Sequence, residues 1–238
     1  DLGVLFHQGV MTHSYPHCWR SKTPVIFRAT EQWFIAVDKP MGGSSLTLRQ
    51  AAIEQVKQVT WIPDWGENRI LGMLESRPDW CISRQRAWGV PVPAFYCQSC
   101  KAPVLTAESV RKVRDHFAAK GSDSWFRDSA KDILGDACRC PACGSGDLKQ
   151  DHDILDIWFE SGSSWLGATR DRVGQEAPVE LYLEGSDQHR GWFQTSLLVG
   201  VAATDKAPFK TVLTHGFVVD ENGYKMSKSA GNAVNVQD

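Results

Sequence analysis

No run of about 18 consecutive apolar residues occurs in the chain, so no membrane-spanning helix is expected. A basic start followed by an apolar stretch is also missing, and no secretory leader is read at the N-terminus. Internal repeats and low-complexity tracts are absent, which leaves an ordinary globular composition. Charge of one sign is not in excess either: 26 Lys and Arg against 28 Asp and Glu give a formal net charge of −2. There is thus no broad cationic field, and a nucleic-acid partner would have to meet a local basic surface or parts outside this sequence.

What is present is more specific. The 238 residues suffice for one large domain, or one domain with an insert, around a substantial apolar core. Ten Trp is a high count, and such rings are expected in a core or a ligand pocket. Seven Cys is an odd number, with five between Cys97 and Cys143. That clustering suits a metal site in a reducing, cytoplasmic setting better than a disulfide framework. The chain starts at Asp1 without Met and stops at Asp238 after a glycine-containing loop, and it reads as a piece of a longer protein.

Residues 1–30 look irregular and extended, with Pro16 and Pro24 opposing a long helix and Val25-Ile26-Phe27 as a buried strand. Leu46–Val59 has helical spacing, Trp61–Gly66 breaks it, and Asn68–Glu75 reads as a further short helix. Past a short mixed stretch around Cys81–Arg86, the composition shifts between Phe95 and Asp151 to paired Cys, turns and a charged helix, Ala107–Lys120. Beyond it, Ile154–Phe159 and Val179–Leu183 resemble buried strands, Gly191–Thr204 an apolar helix, and Thr211–Val219 another strand. Strands alternating with helices predict an α/β fold with a parallel sheet, whose ligands gather at the carboxyl ends of the strands. Three segments follow: 1–94, an inserted module over 95–151, and 152–238.

Three constellations carry chemistry. Lys225-Met226-Ser227-Lys228-Ser229, bounded by Gly223 and Gly231, is a cationic loop able to close over a triphosphate and offset charge on leaving pyrophosphate. A Lys pair at this spacing also occurs in plain solvated turns. Leu181–Phe193 sets Glu184, Gly185, Asp187 and Gln188 directly after a strand. Gly185 permits close approach of a ligand, and the polar groups can hold hydroxyl or ammonium groups; alone, the run also fits a helix start capped by Ser186 or Asp187. Finally, Cys97-x-x-Cys100 and Cys140-x-x-Cys143 supply two thiolate pairs from tight turns, which suits tetrahedral Zn²⁺. The 39-residue spacer exceeds the roughly 15–20 of a compact zinc ribbon. Cys138 is an alternative to Cys143. His13, His17 and Cys18 read as structural, and Arg84 and Arg86 as packing and ion-pairing residues.

The lysine string resembles the signature loop of class I aminoacyl-tRNA synthetases, and Leu181–Phe193 resembles the adenylate-binding segment of the isoleucine branch. Ser14–Phe34 and Trp80–Gly89 are similar to neighbouring core segments, so the likeness covers essentially the whole chain. It implies a Rossmann-like parallel sheet, here mainly its second half, with a structural zinc insert. It implies ATP binding by Lys225, Met226, Ser227, Lys228, Ser229, His215 and Gly216, with Lys225 and Lys228 catalytic. Glu184, Gly185, Asp187 and Gln188 would hold the adenylate, their division of labour open, and Trp158 and Trp192 would wall an apolar amino-acid pocket. Where the family has Asp, this chain has Glu160, which receives no role. Isoleucine, ATP with Mg²⁺, and tRNA(Ile) are the implied partners of a monomeric cytoplasmic enzyme. The rivals are a valine or leucine enzyme, or a non-catalytic zinc module binding RNA or protein. The family's other ATP signature, His-Ile-Gly-His, does not occur here, and its editing domain would precede Asp1; little or no adenylation is expected of the chain alone.

Overall fold

The computed structural model describes residues 3–18, 21–227 and 231–234. The chain divides after Glu31. In the first unit the described residues are irregular, with one bridge between His17 and Pro24 and a turn at Lys22. Val25-Ile26-Phe27 is not a buried strand: Ile26 and Phe27 are 88% and 79% exposed. A short apolar run needs a second layer to bury against, and these residues have none within their own unit.

The second unit begins with β1 (Phe34–Ile35) and α1 (Leu48–Val56). Helix α1 starts at a reciprocal cap, with Thr47 and Gln50 bonding each other's backbone amides. β2 (Thr60–Ile62) and α2 (Trp65–Glu75) follow. The stretch expected only to break a helix therefore contains a strand, too short to show alternation in the sequence. Short strands β3 (Trp80–Cys81) and β4 (Ser83–Arg84) pair antiparallel with β1 and with β8 (Ile154–Leu155), respectively.

Between β4 and β8 lies a separate hydrophobic cluster. β5 (Phe95–Cys97) is the centre of an antiparallel sheet with β6 (Pro103–Val104) and β7 (Leu148–Gln150). α3 (Ala107–Lys120) and α4 (Ala130–Leu134) pack over it, burying Phe95, Val113, Trp125 and Leu134. Both helices open on a capping residue, Thr106 and Ser129, whose side chain bonds the third residue's amide.

After β8 the chain turns into α5 (Ile157–Gly162), so Ile154–Phe159 is not one buried strand. Asp156 makes the switch. Its Oδ1 accepts from the Trp158 amide at 3.2 Å, and its Oδ2 takes Trp80 Nε1 at 3.1 Å and Arg84 Nη2 at 3.0 Å. A wide-turn helix spans Trp165–Val173. β9 (Val179–Gly185), a 3₁₀ turn at Ser186–His189, α6 (Trp192–Thr204) and β10 (Phe209–His215) complete the unit.

β10 lies between β2 and β9, parallel to both. Such pairing requires a crossover, which α6 supplies between β9 and β10. Its Phe193, Leu197, Leu198 and Val201 are all at most 1% exposed and form the main core with α1, α2 and Trp61. Each side chain of that size contributes roughly 1.5–3 kcal/mol by leaving water.

Asp156→Ala removes a helix cap and the acceptor of a buried indole N–H. We expect a loss of about 2–4 kcal/mol in urea denaturation, with Asp156→Asn losing less because it can still accept. Equal, sub-kilocalorie losses for both would refute this role.

Candidate functional site

Parallel register brings two strand ends to one level: Thr214 pairs with Glu184, and His215 with Gly185. Glu184 and Asp187 are exposed there, Gly185 is buried, and Gln188 is half-buried. A Cβ on Gly185 would lie 3.0 Å from Asp187 Oδ1 and 3.6 Å from His215 Cε1, so glycine allows the strand end and the following turn to close on each other. His215 Nδ1 bonds the Gly216 carbonyl at 2.7 Å. The sequence-based cap is corrected: neither Ser186 nor Asp187 caps α6. Gln188 Oε1 accepts from the Trp192 amide at 3.0 Å instead.

The turn carrying these groups is anchored by His189, a residue the sequence did not single out. It is fully buried among Trp61, Trp65 and Phe193, with Nδ1 3.1 Å from the Ser186 carbonyl. Burial holds its pKa below the ordinary histidine value, which favours the neutral ring. Trp158 and Trp192 come together beside the turn: Trp158 lies against Gly191, and Trp192 opens α6. Trp158 is 40% exposed and Trp192 is half-buried, so both rings present surface.

Beyond β10 the chain forms a tight hairpin. The Met226 amide donates to the Val218 carbonyl at 2.9 Å, and Val219 bridges Lys225. Asp220 braces the tip, accepting from the Asn222 and Tyr224 amides at 3.0 and 2.9 Å. Its other oxygen accepts from Asn232 Nδ2 at 2.8 Å, while Asn232 Oδ1 accepts from the Ser227 amide at 3.0 Å. Hydrogen bonds from Asn232, Tyr224 and Asn222 hold the Asp220 carboxyl below its ordinary pKa. Lys225 is exposed, its Nζ 3.6 Å from the centroid of the Phe217 ring. Lys228 and Ser229 lie outside the described residues.

Cys97, Cys100, Cys140 and Cys143 bring four sulfurs within 4.8 Å of one another. Cys97 and Cys143 are 3.5 Å apart, and Cys100 and Cys140 3.6 Å. Tetrahedral zinc with bonds of about 2.3 Å needs sulfur–sulfur edges of roughly 3.8 Å, so the cluster fits that ion. The Cys100 amide, donating to Cys97, holds that thiol down to about 6. Cys143 is pushed up to about 12: the Ser145 amide favours its thiolate, but hydrogen bonding with Cys100 and Cys97, and desolvation, outweigh it. Negative charge on one sulfur opposes charge on the next, and a bound cation removes that conflict. Cys138 is outside the group; it is buried in the second cluster, and burial raises its pKa. Of the two alternatives, Cys143 is the one that lies with Cys97, Cys100 and Cys140.

A family model described as tRNA synthetases class I (I, L, M and V) matches residues 15–238. An isoleucine–tRNA ligase of Kosmotoga olearia is 53% identical over 240 residues, covering 99% of this chain and 25% of that protein. Those of Caldanaerobacter subterraneus subsp. tengcongensis and Geobacter sulfurreducens are 53% and 50% identical, covering 97% and 98% of this chain. The chain spans about a quarter of the length of these curated relatives.

Two outcomes follow. Cys100→Ser should release most bound zinc, read by elemental analysis after dialysis, while Cys138→Ser retains it; the reverse pattern would displace the ligand set. Asn232→Ala should speed hydrogen exchange at the Ser227 amide at least tenfold and leave β9 unchanged, as read by mass spectrometry. Unaltered exchange there would show that the clasp does not hold the loop.

Proposed function

The chain belongs to the class I tRNA synthetase family, and from that premise we propose that it is the adenylate-forming segment of an isoleucine–tRNA ligase. The relatives bearing that name, about half identical across nearly the whole chain, support the choice of isoleucine over valine or leucine. The observation that carries the reading is the shared edge of β9 and β10, where Glu184, Gly185 and Asp187 stand beside His215 and ahead of the Lys225 loop. In the proposed reaction the isoleucine carboxylate attacks the α-phosphorus of ATP. The bond to the bridging oxygen breaks, giving isoleucyl-adenylate and pyrophosphate, and the acyl group then passes to the terminal ribose of tRNA(Ile).

Each group has a physical role. Glu184 and Asp187, exposed acceptors at the strand end, hold the ammonium and ribose hydroxyls of the intermediate. Gly185 admits it close to the backbone. The rings of Trp158 and Trp192 receive the aliphatic side chain. His215 and Gly216 contact the nucleotide. Lys225 swings from the Phe217 ring to the phosphates and, with Lys228, offsets charge on the leaving pyrophosphate, while Met226, Ser227 and Ser229 complete the ATP-binding loop. Mg²⁺ accompanies ATP as part of the substrate.

Residues 95–151 are proposed as a module inserted between the core segments 1–94 and 152–238, with structural zinc on Cys97, Cys100, Cys140 and Cys143. Its own hydrophobic cluster supports that division. The remainder is read as the second half of a Rossmann-like domain, in keeping with the parallel β2–β10–β9 sheet. A free-standing zinc module would leave the Glu184–Gln188 turn and the Lys225 loop without a use.

The test is amino-acid-dependent pyrophosphate–ATP exchange by a polypeptide carrying this chain within the full length of its relatives. Isoleucine should be preferred over valine and leucine, and Lys225→Ala should lower kcat by about 10²-fold or more. Preference for valine would overturn the substrate, and a fully active Lys225→Ala the loop assignment. This chain alone should give little or no exchange.

A further inference from the structure

We propose that Tyr182, Ser164 and Gly191 are positioning residues that set the placement of Trp192 and Trp158, and thereby the selectivity among aliphatic amino acids. The inference rests on the assignment of those two rings to the amino-acid pocket.

Trp192 is held on three sides. Its ring stacks on Tyr182, with centroids 4.0 Å apart and planes 7° from parallel. Its Nε1 donates to the Ser161 carbonyl at 3.0 Å and to Ser164 Oγ at 3.2 Å, which fixes the ring against rotation. Its backbone amide donates to Gln188 Oε1. Tyr182 is itself a firm base, 4% exposed and packed on Phe209 with centroids 4.7 Å apart. The outer indole therefore takes its plane from a buried strand residue and its rotation from the end of α5.

Trp158 is placed from the other side. A Cβ on Gly191 would lie 3.0 Å from two Trp158 ring carbons and 2.7 Å from Gln188 Oε1. Glycine here lets the ring and the amide both close on the backbone, and a methyl group would have to move one of them. One stretch, Gln188–Trp192, thus sets both rings.

Selectivity for one methylene in an apolar pocket is only about 10–200-fold, and isoleucine against valine is the standard worked example of that range rather than a value taken from this fold. So narrow a margin depends on walls that do not relax. The Tyr182 hydroxyl is buried beside the hydroxyls of Ser196 and Ser164 without a well-formed hydrogen bond among the described residues. The contribution assigned to Tyr182 is its ring, which stacks on Trp192.

The experiment is pyrophosphate exchange with isoleucine and with valine, in the full-length setting described above. Tyr182→Phe keeps the ring and should leave the isoleucine-to-valine ratio of kcat/KM within about twofold. Tyr182→Leu removes the stack and should lower the ratio at least tenfold, through KM for isoleucine more than through kcat. Ser164→Ala should lower it severalfold, and so should Gly191→Ala, through KM for isoleucine. A folded Tyr182→Leu with an unchanged ratio overturns the proposal; if that variant does not fold, an unchanged ratio in Ser164→Ala does so. Trp192→Ala tests the underlying pocket separately: if KM for isoleucine does not change, the pocket assignment fails, whatever Tyr182 does.

Discussion

Parallel pairing of β9 with β10 is the constraint on which the candidate site depends. Because the strands run the same way, Glu184–Gly185 and Thr214–His215 finish at the same edge. Parallel strands cannot be joined by a tight turn, so the chain must leave that edge, return through α6 and enter β10 from the far side. The turn at Ser186–His189 and the loop after His215 are then neighbours although about 30 residues separate them. A fully apolar helix face beneath the sheet secures this, with Phe193, Leu197 and Val201 at 0% exposure.

The polar groups at the edge are held by apolar ones behind it. His189 carries no exposed surface, yet it ties the turn to Trp61 and Trp65, which come from β2 and α2. Desolvation favours its neutral form, so the anchor is a ring packed among rings rather than an ion pair. Trp192 follows the same logic on Tyr182. The lysine hairpin is different: its brace is polar and half-buried, made by Asp220 and Asn232.

The four thiols pose an electrostatic problem that the hydrophobic cluster beside them cannot resolve. Cys97 and Cys140 are buried while Cys100 and Cys143 are exposed, so the group sits at the edge of the cluster. Backbone amides of the tight turns stabilise charge on Cys97, and Cys143 beside it resists ionisation. Zinc would link β5 to the turn before β7, two regions far apart in the chain, and so close a long loop.

Residue order by itself determined the local features whose signals are short-range. The charged helix Ala107–Lys120 was legible to the residue because a capping Thr and a following Gly bound a charged stretch free of Gly and Pro. α6 and the two Cys-x-x-Cys turns were also plain, since apolar runs and ligand spacing need no partner to be recognised; β9 was found as a strand but is not the buried one expected, for it runs on to Gly185 and exposes Leu181 and Leu183. Tertiary structure decided the rest. Ile154–Phe159 reads as a strand until Trp80 and Arg84, about 70 residues earlier, meet Asp156 and help hold the cap that starts α5. Trp61 reads as a helix break until Val212 pairs beside it, and Cys138 stays an alternative to Cys143 until the cluster buries it away from the other four sulfurs. Tyr182, His189 and Asn232 carry no spacing signal at all: their roles come from contacts made when distant segments pack, and such contacts are properties of the folded chain alone.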